Sequence, residues 1–240
     1  MAALLDMVVK GGPVMIPIVG FSVFTLSTAL ERAWFWQRLL SKEDRIVHDV
    51  LHAAQQDLSA ARDIAEHAID LPIGRFLLAP LRLRQPTPET FRLAMEAAGD
   101  KEFVKMQKGD KFLETTVAVS PLLGLLGTVT GLIATFGNLN IGGGGSSEQA
   151  TQAAAGIGEA LITTAAGMIV AIVALLVFRV LVTLQSRQMD YFSEVGNELE
   201  LIYRQLWYEP VLGDAEGNGE VENDYRLGSG GRATASIDGY

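Results

Sequence analysis

The chain contains no cysteine, which excludes disulfides and thiolate metal sites. It has three histidines, His48, His52 and His67, and no glycine loop closed by Lys-Ser or Lys-Thr. A histidine-rich metal centre and a P-loop are therefore both missing. Basic charge is scarce: 19 Lys and Arg stand against 28 Asp and Glu, a net charge of −9. A nucleic-acid binder carries the opposite balance. Charge of either sign is almost absent from three stretches, Gly11 to Leu30, Thr115 to Ser147 and Ala160 to Phe178. Each approaches or exceeds the ~20 apolar residues that cross a bilayer as a helix. With 49% hydrophobic residues over 240 positions, the composition predicts an all-α integral membrane protein with three transmembrane helices.

Twelve Lys and Arg lie from Arg38 to Lys111, Lys10 alone precedes the first apolar run, and none falls within 140–152. Cationic segments stay in the cytoplasm, so the N-terminus and the second connection face outward. The expected order is an outer N-terminal segment 1–12, a first span 13–36 and a cytoplasmic helical domain 37–114. A second span 115–139, an outer loop 140–152 and a third span 153–183 follow. A cytoplasmic helix 184–208 and an acidic tail 209–240, expected to be disordered, complete it. The charges at Arg32, Arg38, Lys42 and Arg45 follow the first run, the reverse of a cleaved signal peptide. Trp34, Phe35 and Trp36 stand where an aromatic belt marks the inner interface.

Within the cytoplasmic insert, Ile46, Val50, Ala54, Leu58, Ala61, Ala65 and Ala68 recur at helical spacing. They predict one amphipathic helix, or two broken around Asp57–Ser59. Ser41, with Asp44 three residues on, is the expected N-cap. Leu71 to Gly74 and Pro80 interrupt the pattern, and Thr87 caps a new helix with Pro88 at its first position. Gly99 and Gly109 weaken a helix by ~1 kcal/mol each without ending it. One long helix is therefore expected from Pro88 into the second span, bent near Pro121. Beyond Arg179 a stripe of Leu184, Gln188, Tyr191, Val195, Leu199, Ile202 and Leu206 reaches Tyr208, where Pro210 stops the helix. Such a stripe needs a partner surface, so self-association is expected.

Few residues in the spans carry chemistry. In the second span Gly124, Thr128, Gly131 and Thr135 share a face, and Gly127 and Gly131 form a small-xxx-small pair suited to close helix packing. Thr128 and Thr135 add hydroxyls that can line a polar passage. In the third span Glu159 is the only charged residue between Gln149 and Phe178. A charge at mid-bilayer costs ~2.5–3.5 kcal/mol on insertion scales, so it faces an interior or water unless it lies at the outer interface. Thr163 sits one turn below it, and Thr164 is offset by about 140° at 100° per residue. Together these residues can form a hydroxyl-lined path with one carboxylate. His48 and His52, four apart, can hold a metal from one face or simply be solvated; Gly142 to Gly145 reads as a turn between spans. No cofactor and no enzymatic motif are indicated.

The residues resemble the MotA/TolQ/ExbB proton channel family, and most closely its three-span ExbB/TolQ branch. Leu30-Glu31-Arg32-Ala33-Trp34-Phe35 is similar to the motif that ends the family's first span. Pro121 to Gly131 resembles the second-span Gly-Leu-x-Gly-Thr-Val-x-Gly motif. Gly156 to Gly167 resembles the third-span Gly-Ile-x-Glu-Ala-Leu-x-x-Thr-Ala-x-Gly motif, and Leu71 to Arg75 is similar to a cytoplasmic segment of members. The likeness covers about residues 10–208. Val173 stands where many members have proline, Thr130 where tryptophan is common, and Thr163 where alanine is frequent.

The resemblance implies a homopentamer around a central pore in the bacterial inner membrane, with the N-terminus in the periplasm and the C-terminus in the cytoplasm. It implies a single-span ExbD/TolR-like partner inside the pore, whose aspartate carries the proton. A TonB- or TolA-like protein crossing the periplasm would take up the motion. Thr128, Thr164 and Glu159 match the family's pore positions, with Thr163 and Thr135 beside them. Gly124, Gly127, Gly131 and Gly167 serve packing, and Glu31 with Arg32 forms the inner-interface motif. An ExbB-like energiser of outer-membrane transport is the favoured expectation; a TolQ-like role in envelope integrity and a non-conducting scaffold are its rivals. A four-span flagellar stator is disfavoured by the count of three spans.

Overall fold

The computed structural model describes residues 12–137 and 147–210. The expected outer N-terminal segment, most of the outer loop and the acidic tail lie outside the described residues. Among those described, regular structure is helical throughout: α1 (Met15–Leu40), α2 (Glu43–Ala54), α3 (Leu58–His67), α4 (Pro72–Leu81), α5 (Pro88–Met106), α6 (Asp110–Gly137) and α7 (Ser147–Tyr203), closed by a π-helical turn at Arg204–Tyr208. Two segments, Pro88–Gly137 and Thr151–Tyr208, are long and apolar enough to cross a membrane; only 17% and 22% of their apolar stretches are buried within the chain. Helix α1 is 26 residues long but is not one of the two, since Glu31 and Arg32 cut its apolar run after Leu30. The chain divides into two compact units, Met1–Leu40 with Phe103–Met189, and Ser41–Glu102 with Asp190–Tyr240.

In the first unit α1 packs antiparallel on the start of α6. Phe112 meets Phe21 and Phe24 at ring-centroid distances of 5.8 and 5.4 Å. The helix expected to run unbroken from Pro88 is interrupted at 107–109. Gly109 adopts φ +94, a left-handed conformation that glycine enters without steric cost. A methyl there would also stand 3.0 Å from Thr28 Cγ2. Close approach of α1 thus selects glycine, and the resulting turn ends α5. Pro121 lies inside α6. Outward, Leu122, Ile133, Leu161, Ile169 and Leu176 are each more than half exposed, a surface that requires lipid or protein.

The second unit is a helical cluster with its own core. Helices α2 and α3 form a pair broken at Asp57, whose carboxylate accepts a 2.8 Å hydrogen bond from the Ser59 backbone N–H. The start of α2 differs from expectation: Lys42, not Ser41, holds the N-cap position, and it makes no side-chain cap. The Leu71–Gly74 stretch, expected only as an interruption, opens α4, because Pro72 occupies a first-turn position whose N–H needs no partner. Pro80 falls within the last turn of that helix. Thr87 caps α5 through its Oγ1, which accepts from the Thr90 N–H at 3.3 Å.

The final stretch of α7 in this unit buries Phe192, Val195, Leu199 and Tyr203. Phe192 contacts Phe76 at 4.7 Å, and Tyr203 stacks on Phe91 at 4.3 Å and 7°. Burying one such ring contributes about 1.5–3 kcal/mol. The expected stripe is met at Val195 and Leu199, whereas Leu206 is 49% exposed and the aromatics Phe192 and Tyr203 carry the contact. Within this unit, that part of the helix is covered by Phe76 of α4 and Phe91 of α5 of the same chain, so its buried residues supply no argument for self-association. Beneath it, Arg75 grips the buried Glu102 through Nε and Nη2 at 2.8 and 2.6 Å, and donates from Nη1 to the Ile69 carbonyl at 2.6 Å.

Candidate functional site

The small-residue faces of α6 and α7 meet as an antiparallel seam. A methyl added at Gly124 would stand 2.9 Å from Thr164 Cα, and one at Gly131 would stand 2.9 Å from Ala160 Cβ. At Gly167 it would meet the Ser120 carbonyl oxygen at 2.5 Å and Gly124 Cα at 3.1 Å. At Gly127 it would collide with Thr163 Cγ2, and at Gly156 with Thr135 Oγ1. The glycines are thus positions of close helix-to-helix approach, which only the smallest residues permit.

That closeness places the hydroxyls. Thr164 Oγ1 donates across the seam to the Gly124 carbonyl at 2.8 Å. Thr128 Oγ1 lies 2.7 Å from the Leu125 carbonyl and 3.2 Å from Thr164 Oγ1. A hydroxyl has one proton to give. With the Thr164 proton committed to Gly124, the Thr128 proton has three alternative acceptors, Leu125 O, Thr164 Oγ1 and, at 3.5 Å, Gly124 O. The pair can therefore reorient without breaking the seam, and its free lone pairs can solvate a passing cation or proton. It cannot store a proton, since threonine does not titrate in the accessible range.

The other members of the expected path sit differently. Thr163 is 1% exposed, packs on Gly127 and donates to the Glu159 carbonyl at 3.3 Å. Thr135 donates to Gly131 O at 2.8 Å beside Gly156. The Glu159 side chain is exposed on α7. The structure thus brings Thr128 and Thr164 together, puts Thr163 and Thr135 in the packed seam, and leaves Glu159 facing outward from this chain.

A second polar cluster joins α1, α6 and α7 in the same unit, ahead of the second apolar run. Arg32 is buried, donates to the Lys108 carbonyl and lies 5.6 Å from the Phe35 ring centroid. Its neighbour Glu31 is exposed, 4.0 Å from Lys108 Nζ. Gln185 donates to Asp110 Oδ2 at 2.8 Å and to the Met106 carbonyl at 3.3 Å. Asp110 Oδ1 is buried with no hydrogen-bond partner among the described residues. Burial pushes the Asp110 carboxyl above its ordinary range, opposed by the Gln185 hydrogen bond and the Arg32 charge. Neither Asp110 nor Gln185 is among the residues that the sequence singles out. The available signal is Lys108-Gly109-Asp110, a turn sequence ahead of the span, within a stretch expected to be continuous helix.

The His48 and His52 rings are 6.3 Å apart beside Asp49, and no group of three or more metal-ligating side chains occurs among the described residues.

Residues 68–194 match the MotA/TolQ/ExbB proton channel family. A putative biopolymer transport protein, ExbB-like 1 of Synechocystis sp., is 72% identical over 86% of this chain and 82% of its own length. Putative biopolymer transport protein ExbB-like 3 of the same organism is 36% identical over 83% and 95%. The Tol-Pal system protein TolQ of Haemophilus influenzae is 28% identical over 81% and 89%.

Proposed function

Because the chain belongs to the MotA/TolQ/ExbB proton channel family, we propose that it is an ExbB-like subunit of an inner-membrane proton channel. In this reading α1, α6 and α7 carry the three spans, with the N-terminus in the periplasm and the C-terminus in the cytoplasm. Five copies surround a pore that holds a single-span ExbD/TolR-like partner, and proton flow energises a TonB-dependent system in the outer membrane. The Thr128–Thr164 pair carries the proposal: two reorientable hydroxyls on a glycine-smoothed seam give a polar, weakly bonding surface. A proton crossing 100 mV releases ~2.3 kcal/mol, enough to bias one helix between two packings against such a surface. Glu159, exposed from the single chain, would face the lumen between subunits.

Proton flux into liposomes holding the chain with its single-span partner tests the reading. Wild type conducts under an imposed potential, and Thr128→Val and Glu159→Ala lower flux by about tenfold, ~1.4 kcal/mol in barrier, while still assembling. Full flux in both variants removes the site assignment. No flux from assembled wild type leaves the scaffold reading. A TolQ-like role is supported by the likeness to TolQ proteins, over 81% of this chain in one case and 35% in another. The ExbB-like relatives are more similar, and co-purification of a TonB-like or a TolA-like protein separates the two.

A further inference from the structure

The second unit contains a cavity of about 490 Å³ that the channel reading does not use. Its walls are aromatic and proline surfaces: Pro80, Phe91, Tyr203, Trp207 and Tyr208, with Arg62 also lining it. The aromatic walls are fixed. Tyr203 donates from its hydroxyl to the Pro86 carbonyl at 2.6 Å, Trp207 Nε1 donates to the Ala54 carbonyl at 2.8 Å, and Phe91 stacks on Tyr203. With their polar atoms engaged, these rings offer mainly apolar faces. Gln85, at φ +46, sets a tight turn on another side. Arg62 and Arg84 are exposed and form no ion pair among the described residues. The site therefore suits a short peptide with a large apolar side chain flanked by carboxylates.

The chain supplies such a peptide. Residues 211–240 follow directly from the helix whose last turn, Trp207 and Tyr208, forms one wall. Within them, Glu222-Asn223-Asp224-Tyr225-Arg226-Leu227 combines two carboxylates with an aromatic and a leucine. About 14 residues separate Tyr208 from Glu222, a reach of up to roughly 45 Å at 3.3–3.6 Å per residue. Tethering makes the encounter intramolecular, at an effective concentration that reaches mM for short linkers, so weak intrinsic affinity suffices. We propose that Glu222–Leu227 docks in this cavity of its own chain, with Tyr225 and Leu227 against the aromatic walls and Glu222 and Asp224 toward Arg62 and Arg84. The inference is independent of ion conduction.

The absence of cysteine gives a clean test in the full-length protein. Ser59, on the cavity wall, engages Asp57 through its backbone, so Ser59→Cys leaves that cap intact. Paired with Ser229→Cys and a short bis-maleimide, it should give a within-chain link identified by peptide mass. Tyr225→Ala with Leu227→Ala, or Arg62→Glu at its exposed site, should lower the yield by about tenfold. No link, or a link insensitive to these substitutions, overturns the proposal. So does a link formed as readily when separate Ser59→Cys and Ser229→Cys chains are mixed, which would assign the cavity to another copy's tail.

Discussion

Thr164 Oγ1 and the Gly124 carbonyl are 2.8 Å apart across the α6–α7 seam. The bond joins two helices at a glycine whose missing side chain permits the approach, and it leaves the neighbouring Thr128 hydroxyl free to choose among its own acceptors.

Removing either hydroxyl tests that arrangement. Thr164→Val should cost about 0.5–1.5 kcal/mol of stability, the net worth of a hydrogen bond. Thr128→Val should cost less, since its hydroxyl donates only to carbonyls of its own helix or to Thr164. In a double-mutant cycle read from thermal unfolding in detergent, the coupling between the two should be non-zero and small, about 0.5 kcal/mol. Strict additivity would mean that the 3.2 Å Thr128–Thr164 contact contributes nothing.

Glycines along the same helices should respond in opposite directions. Gly167→Ala places a methyl 2.5 Å from a backbone carbonyl oxygen, and Gly124→Ala places one 2.9 Å from Thr164 Cα; neither neighbour can rotate away. Overpacking of this kind costs about 1–3 kcal/mol. Gly158 has nothing within 4 Å, so Gly158→Ala should be neutral, or stabilising by up to about 1 kcal/mol through helix propensity. Melting temperatures of the three variants provide the ranking.

This contrast shows what is legible in the sequence. Gly124, Gly127 and Gly131 stand out because helical periodicity places small residues on one face, Gly167 stands out through the family resemblance, and Thr87-Pro88 announces a helix start through its cap chemistry. Gly109 escapes for a related reason. A lone glycine costs a helix little, and only the approach of Thr28 from a distant part of the sequence shows that it must be a turn. The burial of Phe192 and Tyr203 on the cytoplasmic end of α7, shifted from the expected stripe, likewise depends on where Phe76 and Phe91 lie. Periodicity marks a face; its partner is a tertiary fact. Asp110 is marked only by the turn sequence Lys108-Gly109-Asp110, and nothing local points to its partner Gln185, since their pairing spans 75 positions.

In the second unit the Arg75–Glu102 pair should be sensitive to charge removal. The Glu102 side chain is 3% exposed and Arg75 31%, so Arg75→Ala strips a two-pronged guanidinium contact from a buried carboxylate. Loss of one partner of a buried pair costs about 3–5 kcal/mol, and the lower end applies here because Arg75 reaches solvent. Arg75→Lys should recover little, because an ammonium cannot reproduce the two-pronged contact. Arg92, paired with Glu96 at the exposed surface, is the control: Arg92→Ala should change stability by less than about 0.5 kcal/mol. Chemical denaturation followed by Trp207 fluorescence, with Trp34 and Trp36 replaced by phenylalanine, should separate these cases.

Asp110 makes a pH prediction whose sign is fixed. Burial is the largest influence on its carboxyl and raises it from 3.8, while the Gln185 hydrogen bond and the Arg32 charge act against that rise. The folded protein therefore holds the Asp110 proton more tightly than the unfolded chain does. A group of this kind contributes stability that is fully present below its unfolded value and is lost as pH rises through its folded one. Between about pH 4 and the raised value, wild type should lose stability relative to Asp110→Asn as pH increases. The amide introduced by that substitution keeps an acceptor for Gln185 but carries no titrating charge, so the difference between the two proteins isolates this carboxyl from every other acid. Thermal melts from about pH 3.5 to 7 measure it. Parallel curves would show that the Gln185 hydrogen bond and the Arg32 charge cancel desolvation, and a wild type that gains on the variant as pH rises would show that they outweigh it and that the cluster joining α1, α6 and α7 prefers the ionised acid.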